Sequence, residues 1–158
     1  MASSNSGKSP PGPEGTDPFL DRPDGALTPE QAAAIAAWCA AAAPLLGLHG
    51  WRIRVSTHEA NPETSASSSV RVDSDEAWIA VERRHHEVPA ELRRTTLTHE
   101  LLHLHLQPVL QPIMDLLDEN VSQPVSDATR TLLRGGEERM IERLANAIAV
   151  HLPLPPEL

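Results

Sequence analysis

The strongest constraint in this 158-residue chain is a run between Pro89 and Gln107 whose pattern is helical and which contains His99-Glu100-Leu101-Leu102-His103. Pro89 suits a helix start, Ala90 to Arg94 are good helix formers with an acid early, and Pro108 predicts the stop. On a helix His99 and His103 stand one turn apart on one face, where two imidazoles can hold one metal ion. Glu100 lies beside that face and can reach a water in the open position of such a metal. The bland alternative is an amphipathic surface helix with solvated histidines. The placement of H-E-x-x-H inside a well-formed helix favours the metal.

A catalytic zinc takes three protein ligands and a water, so a third ligand is needed. The extended pattern with a glycine and a third histidine is excluded, because Leu106 and Val109 stand at those positions. A glutamate on a later helix is the other common solution. Glu137 to Leu152 has a helical pattern with an apolar stripe of Ile141, Leu144, Ala145, Ile148 and Leu152. Glu138 and Glu142 both border this stripe, and spacing does not choose between them. Pairing of these acids with Arg134, Arg139 or Arg143 on a solvated face is the structural alternative.

The combination of Thr98-His99-Glu100-Leu101-Leu102-His103 with Glu142-x-x-Ala145-Asn146-x-Ile148-Ala149-x-x-Leu152-Pro153 resembles the ImmA/IrrE-type metallopeptidases, which are minimal gluzincins. Ile148 stands where the family usually has phenylalanine. The resemblance implies a zincin-like α+β fold, with Zn2+ held by His99, His103 and Glu142 and with Glu100 as general base. It further implies an endopeptidase acting on a specific protein or peptide, by analogy a regulator of a phage or mobile element. The rival expectation is a zinc-bearing binding module with weak or lost catalysis, since the chain has no tyrosine to assist an oxyanion. An effector or toxin protease is a further alternative. For the missing helper, the His85-His86 pair is the best histidine candidate.

The remainder of the chain sets the frame. Residues 1–26 are rich in Ser, Pro and Gly and are expected to form a disordered arm, leaving 27–158 as one domain. Thr28, Pro29 and Gln31 form a capping signature for a helix through Ala32 to about Leu46. Trp51 to Val55, Ser69 to Val72 and Ala77 to Val81 read as strands, and together predict a three-stranded antiparallel sheet ahead of the metal helix. In zincins an edge strand beside the cleft commonly holds substrate, and the strand ending at Val81-Glu82 is the candidate here. Gln111 to Leu117 and Ser126 to Arg134 read as two short helices, with Gly135-Gly136 as a cap or hinge.

Charge and cysteine usage narrow the function classes. A net charge of −9 argues against nucleic acid as a partner. No apolar run approaches the length of a membrane span, and no signal peptide is evident, so the expected location is the cytoplasm. The single cysteine, Cys39, cannot form an intramolecular disulfide and reads as a small core residue.

Overall fold

The computed structural model describes residues 16–21, 25–61 and 63–158; of the expected arm, residues 1–15 and 22–24 lie outside the described residues. The elements in chain order are α1 (Pro29–Leu45), β1 (Arg52–Val55), β2 (Ala66–Arg71), β3 (Glu76–Val81), α2 (Ala90–Asn120) and α3 (Gln123–Ile148), with three short 3-10 turns between or after them. The class is α+β.

Helix α1 starts as its sequence dictates. The Thr28 hydroxyl accepts from the Gln31 N–H while the Gln31 side chain accepts from the Thr28 N–H, so the capping box is complete. At its other end Gly47 adopts φ 77°, and the Leu48 N–H reaches back to the Ala43 carbonyl, a closure that a side chain at position 47 would strain.

The sheet is mixed rather than antiparallel, with order β1-β3-β2. β3 runs parallel to β1 and antiparallel to β2. The physical reason lies in composition. Ala77-Trp78-Ile79-Ala80-Val81 is apolar on both faces and buried throughout, so it takes the centre. β1, with Arg52 and Arg54, and β2, with Ser67, Ser68 and Ser69, carry polar groups that an edge tolerates. The strand ending at Val81 is therefore not an edge, and β2 is the edge that faces the cleft described below. Arg52 and Arg54 both approach the buried Glu76 carboxylate, at 3.5 and 3.4 Å, which pins β1 to the start of β3.

One face of the sheet, through Ala77, Ile79, Val81 and Ala66, packs on Ile35, Trp38, Cys39 and Ala42 of α1 and on Leu97, Leu101 and Leu104 of α2. Burial of each such leucine contributes about 1.5–3 kcal/mol. The opposite face is covered at Trp78 and Ala80 by Ala60 and by Phe19, which is 6% exposed. Part of the stretch before residue 27 thus contributes to packing, through Phe19 and through Ala26 in the main core.

The two long helices depart most from expectation. α2 does not stop at Pro108 but continues through Pro108 and Pro112 to Asn120, and α3 runs unbroken through Gly135-Gly136. The two short helices and the glycine hinge or cap are therefore replaced by one antiparallel hairpin that turns at Val121-Ser122. A proline in a helix interior costs about 3 kcal/mol, and packing of one long helix on the other offsets it. The hairpin is fastened near its tip: Ser126, 1% exposed, donates to Asp118, whose carboxylate also pairs with Arg130, and the Arg130 guanidinium reaches the Met114 carbonyl. Nearer the sheet, Leu102 meets Ile141 and Ala145, with Leu106 against them. The small Ala145 permits close approach. Beyond α3, the carbonyls of Leu152 and Pro153 accept from Arg94 and Trp38, anchoring the end of the glutamate helix to α2 and α1.

Candidate metal centre

Register along the hairpin brings the charged faces of α2 and α3 together. Leu101 and Leu104 turn into the core, and the same helical phase turns His99 and His103 toward α3. The two Nε2 atoms lie 3.2 Å apart, with the rings edge to face. Glu138 on α3 completes a group: its Oε2 is 3.2 Å from His99 Nε2 and its Oε1 3.6 Å from His103 Nε2. Nitrogen and oxygen ligands about 2.0–2.1 Å from a tetrahedral ion stand about 3.3–3.4 Å from one another. The spacing of His99, His103 and Glu138 matches that edge length, so the three are positioned to hold one metal ion.

Glu142 lies one turn further along α3. It lines the same cavity but is not part of the close group formed by His99, His103 and Glu138. The geometry thus brings together both expected histidine ligands and the Glu138 that spacing left open beside Glu142.

Behind the group stands a carboxylate that sequence reasoning missed. His103 Nδ1 lies 2.9 Å from Oε1 of Glu137, which is 9% exposed. With Nδ1 donating to this carboxylate, the Nε2 lone pair faces the ion site and the ring is fixed in orientation. The signal was present in Glu137-Glu138, since consecutive helical residues point about a quarter turn apart and one can hold the ion while its neighbour holds a ligand.

Glu100 is buried at 6% exposure beside the histidines and lines the same cavity. Burial pushes its carboxyl above the ordinary carboxylate range, opposed by a hydrogen bond from the Ser68 side chain and by the His103 and His99 imidazoles, with Glu138 adding to the upward push. A divalent cation at the neighbouring group favours the ionised form. Ser68, on the edge strand, was not legible as a site residue. Its role depends on a strand-to-helix contact that no local pattern encodes.

The cavity around these groups has a volume of about 660 Å3. Its walls are Thr64 to Ser68 at the start of β2, Thr96, His99, Glu100, His103 and Gln107 on α2, and Arg134, Glu137, Glu138 and Glu142 on α3. Four carboxylates against one guanidinium favour a cation within it.

Other sequence candidates lie elsewhere. His85 is buried in a 3-10 turn after β3, His86 sits at the surface by Glu87, and neither lines the cavity. His105 bonds the Leu46 carbonyl at 2.7 Å and ties α2 to the end of α1. Asn146 is exposed and outside the cavity lining. Cys39 is fully buried, and burial pushes its thiol up to about 12, consistent with an inert core residue. Among the described residues, no helix is long and apolar enough to cross a membrane.

No protein-family model matches the chain, and no curated protein sequence or solved structure is significantly similar to it.

Proposed function

We propose that this chain is a zinc-dependent metallopeptidase with a zincin-like fold, using His99, His103 and a glutamate of α3 as ligands and Glu100 as general base. The observation that carries the reading is the convergence of two Nε2 atoms and the Glu138 carboxylate within 4.8 Å, with a second, buried carboxylate, that of Glu100, beside them. Resemblance to the ImmA/IrrE-type metallopeptidases, through the H-E-L-L-H run and the E-x-x-A-N-x-I-A segment, supports the same chemistry. That resemblance points to Glu142 as third ligand, whereas the distances favour Glu138.

A zinc ion held by His99, His103 and the α3 glutamate would supply Lewis acidity, activating a water and polarising a peptide carbonyl. The residues supply the remainder. Glu100, adjacent to His99 and shielded from solvent, accepts the proton of the attacking water and delivers it to the departing amine. Ser68 orients that carboxyl through its hydroxyl. The edge of β2, exposed to the cavity from Thr64 to Ser68, offers main-chain groups on which an extended peptide can add as a strand. The substrate is then a protein or peptide segment held in extended form. A phage or mobile-element regulator fits by family analogy, and one buried free cysteine is compatible with a cytoplasmic setting.

A second reading, a zinc-bearing binding module, is favoured by one observation: no tyrosine and no third histidine line the cavity. Glu100→Gln separates the two. For the peptidase, the variant retains about one zinc per chain and loses cleavage of a denatured protein mixture read by mass spectrometry. A wild type that binds zinc yet produces no new termini in that mixture supports the binding module. A folded wild type that takes up no zinc removes both.

A further inference from the structure

We infer that Arg134 makes this cleft selective for a peptide carrying a carboxylate about two residues from the metal group. The inference rests on the reading of the site as one that accepts an extended peptide.

Arg134 is the one Lys or Arg side chain among the residues lining the cavity. Helical spacing offers it two obvious partners, Glu137 at i+3 and Glu138 at i+4. Both are engaged elsewhere: Glu137 with His103 Nδ1 at 2.9 Å, and Glu138 with His99 Nε2 at 3.2 Å. Among the described residues no carboxylate lies within ion-pair distance of Arg134. A metal ion at the His-His-Glu group commits Glu138 further and leaves the guanidinium unneutralised at the wall of the cleft.

The antiparallel hairpin also gives the cleft two unlike ends. Arg134 is one turn before Glu138 on α3, and Gln107 is one turn after His103 on α2, so these two face each other across one end. Thr96 and Glu142 occupy the corresponding positions at the other end. Four helical residues rise about 6 Å, and an extended peptide advances about 3.3 Å per residue. For a peptide lying along the cleft in the direction of the two helices, a group held by Arg134 and Gln107 is about two residues from the carbonyl at the metal group. The guanidinium fork, with an amide donor opposite, is suited to a planar carboxylate. Either an Asp or Glu side chain or a peptide's terminal α-carboxylate supplies that chemistry.

The test is an anisotropy titration of the full zinc-loaded Glu100→Gln chain with N-terminally labelled alanine-rich hexapeptides. One set carries a single Glu at each position in turn, a second carries Gln at the same positions, and both are made with free and with amidated C-termini. The inference expects at least ten-fold tighter binding for one Glu register or for the free C-terminus over its neutral counterpart. Arg134→Gln should abolish the difference, and Arg134→Glu should reverse it in favour of the Gln peptides. A side-chain carboxylate shows as a preference that survives amidation, and a terminal one as a preference that does not. Equal binding of Glu and Gln peptides and of both termini overturns the inference, as does a preference unchanged in Arg134→Gln. Cleavage by wild type is read in parallel. Carboxylate-dependent binding without cleavage keeps the role of Arg134 and removes the peptidase reading, whereas cleavage indifferent to carboxylates does the reverse. A fall in kcat for every peptide with KM unchanged in Arg134→Gln would also overturn it, pointing instead to oxyanion stabilisation.

Discussion

Oε1 of Glu137 stands 2.9 Å from His103 Nδ1, on the far side of the ring from the Nε2 that faces His99. One buried carboxylate thereby sets the tautomer and orientation of a candidate ligand without approaching the ion itself. Loss of such an outer partner typically weakens metal binding 10–100-fold. Glu137→Gln is expected to raise the zinc dissociation constant by that order, measured by competition with a chromophoric chelator. Circular dichroism should remain that of the wild type. Unchanged affinity would make Glu137 a structural bystander.

Glu138 and Glu142 differ by one helical turn and differ in what they reach. Because among the described residues only Glu138 closes the group with His99 and His103, Glu138→Ala should abolish stoichiometric zinc in the dialysed chain. Glu142→Ala should retain it, with affinity changed less than ten-fold. Zinc content by elemental analysis of both variants decides the matter. The opposite pattern would assign the third ligand to Glu142, as the family resemblance implies.

What was readable in the sequence follows from how local each determinant is. The capping box of Thr28 and Gln31 and the start of the helix carrying His99 and His103 are set by neighbours within four residues, and both formed as expected. β1 was legible from alternation and β3 from its apolar run, but β2 begins three residues before the expected Ser69, at Ala66, and ends at Arg71, because its serines give no alternating pattern. The strand order was not legible, since pairing β3 between β1 and β2 depends on burial of both its faces. Pro108 and Gly135-Gly136 are strong local stop signals. They lost to the packing of α2 on α3, a tertiary term with no local signature. The same hairpin register selects Glu138 and Glu137 for the histidines, which is why spacing alone left Glu138 and Glu142 equivalent.

Gly136 offers a test of that hairpin. It lies inside α3 at a helical conformation, and a Cβ built there meets no atom within 4 Å. Gly136→Ala should then stabilise the chain by about 0.5–1 kcal/mol, mostly by restricting the unfolded state. Chemical denaturation of the metal-free proteins measures it. Destabilisation would mean that α3 is not continuous at this point and that the glycines serve as a break.

His85 gives the fold a pH dependence separate from the metal group. It is 2% exposed, its Nε2 has no hydrogen-bond partner, and burial, with Arg93 and His86 adding their charge, lowers its pKa to about 4 from an ordinary 6.5. The folded chain thus keeps this imidazole neutral while the unfolded chain takes up a proton below 6.5. Above 6.5 both states are neutral, so the full stability is present there. As pH falls toward 4 the unfolded state gains the proton first, and stability is lost by at most about 3 kcal/mol. Urea denaturation in the presence of a chelator, between pH 7.5 and 4.5, should show this decline in wild type. His85→Gln cannot take up that proton in either state, so its decline should be shallower over the same window. Parallel curves for the two proteins would show that His85 is protonated as readily in the fold as out of it.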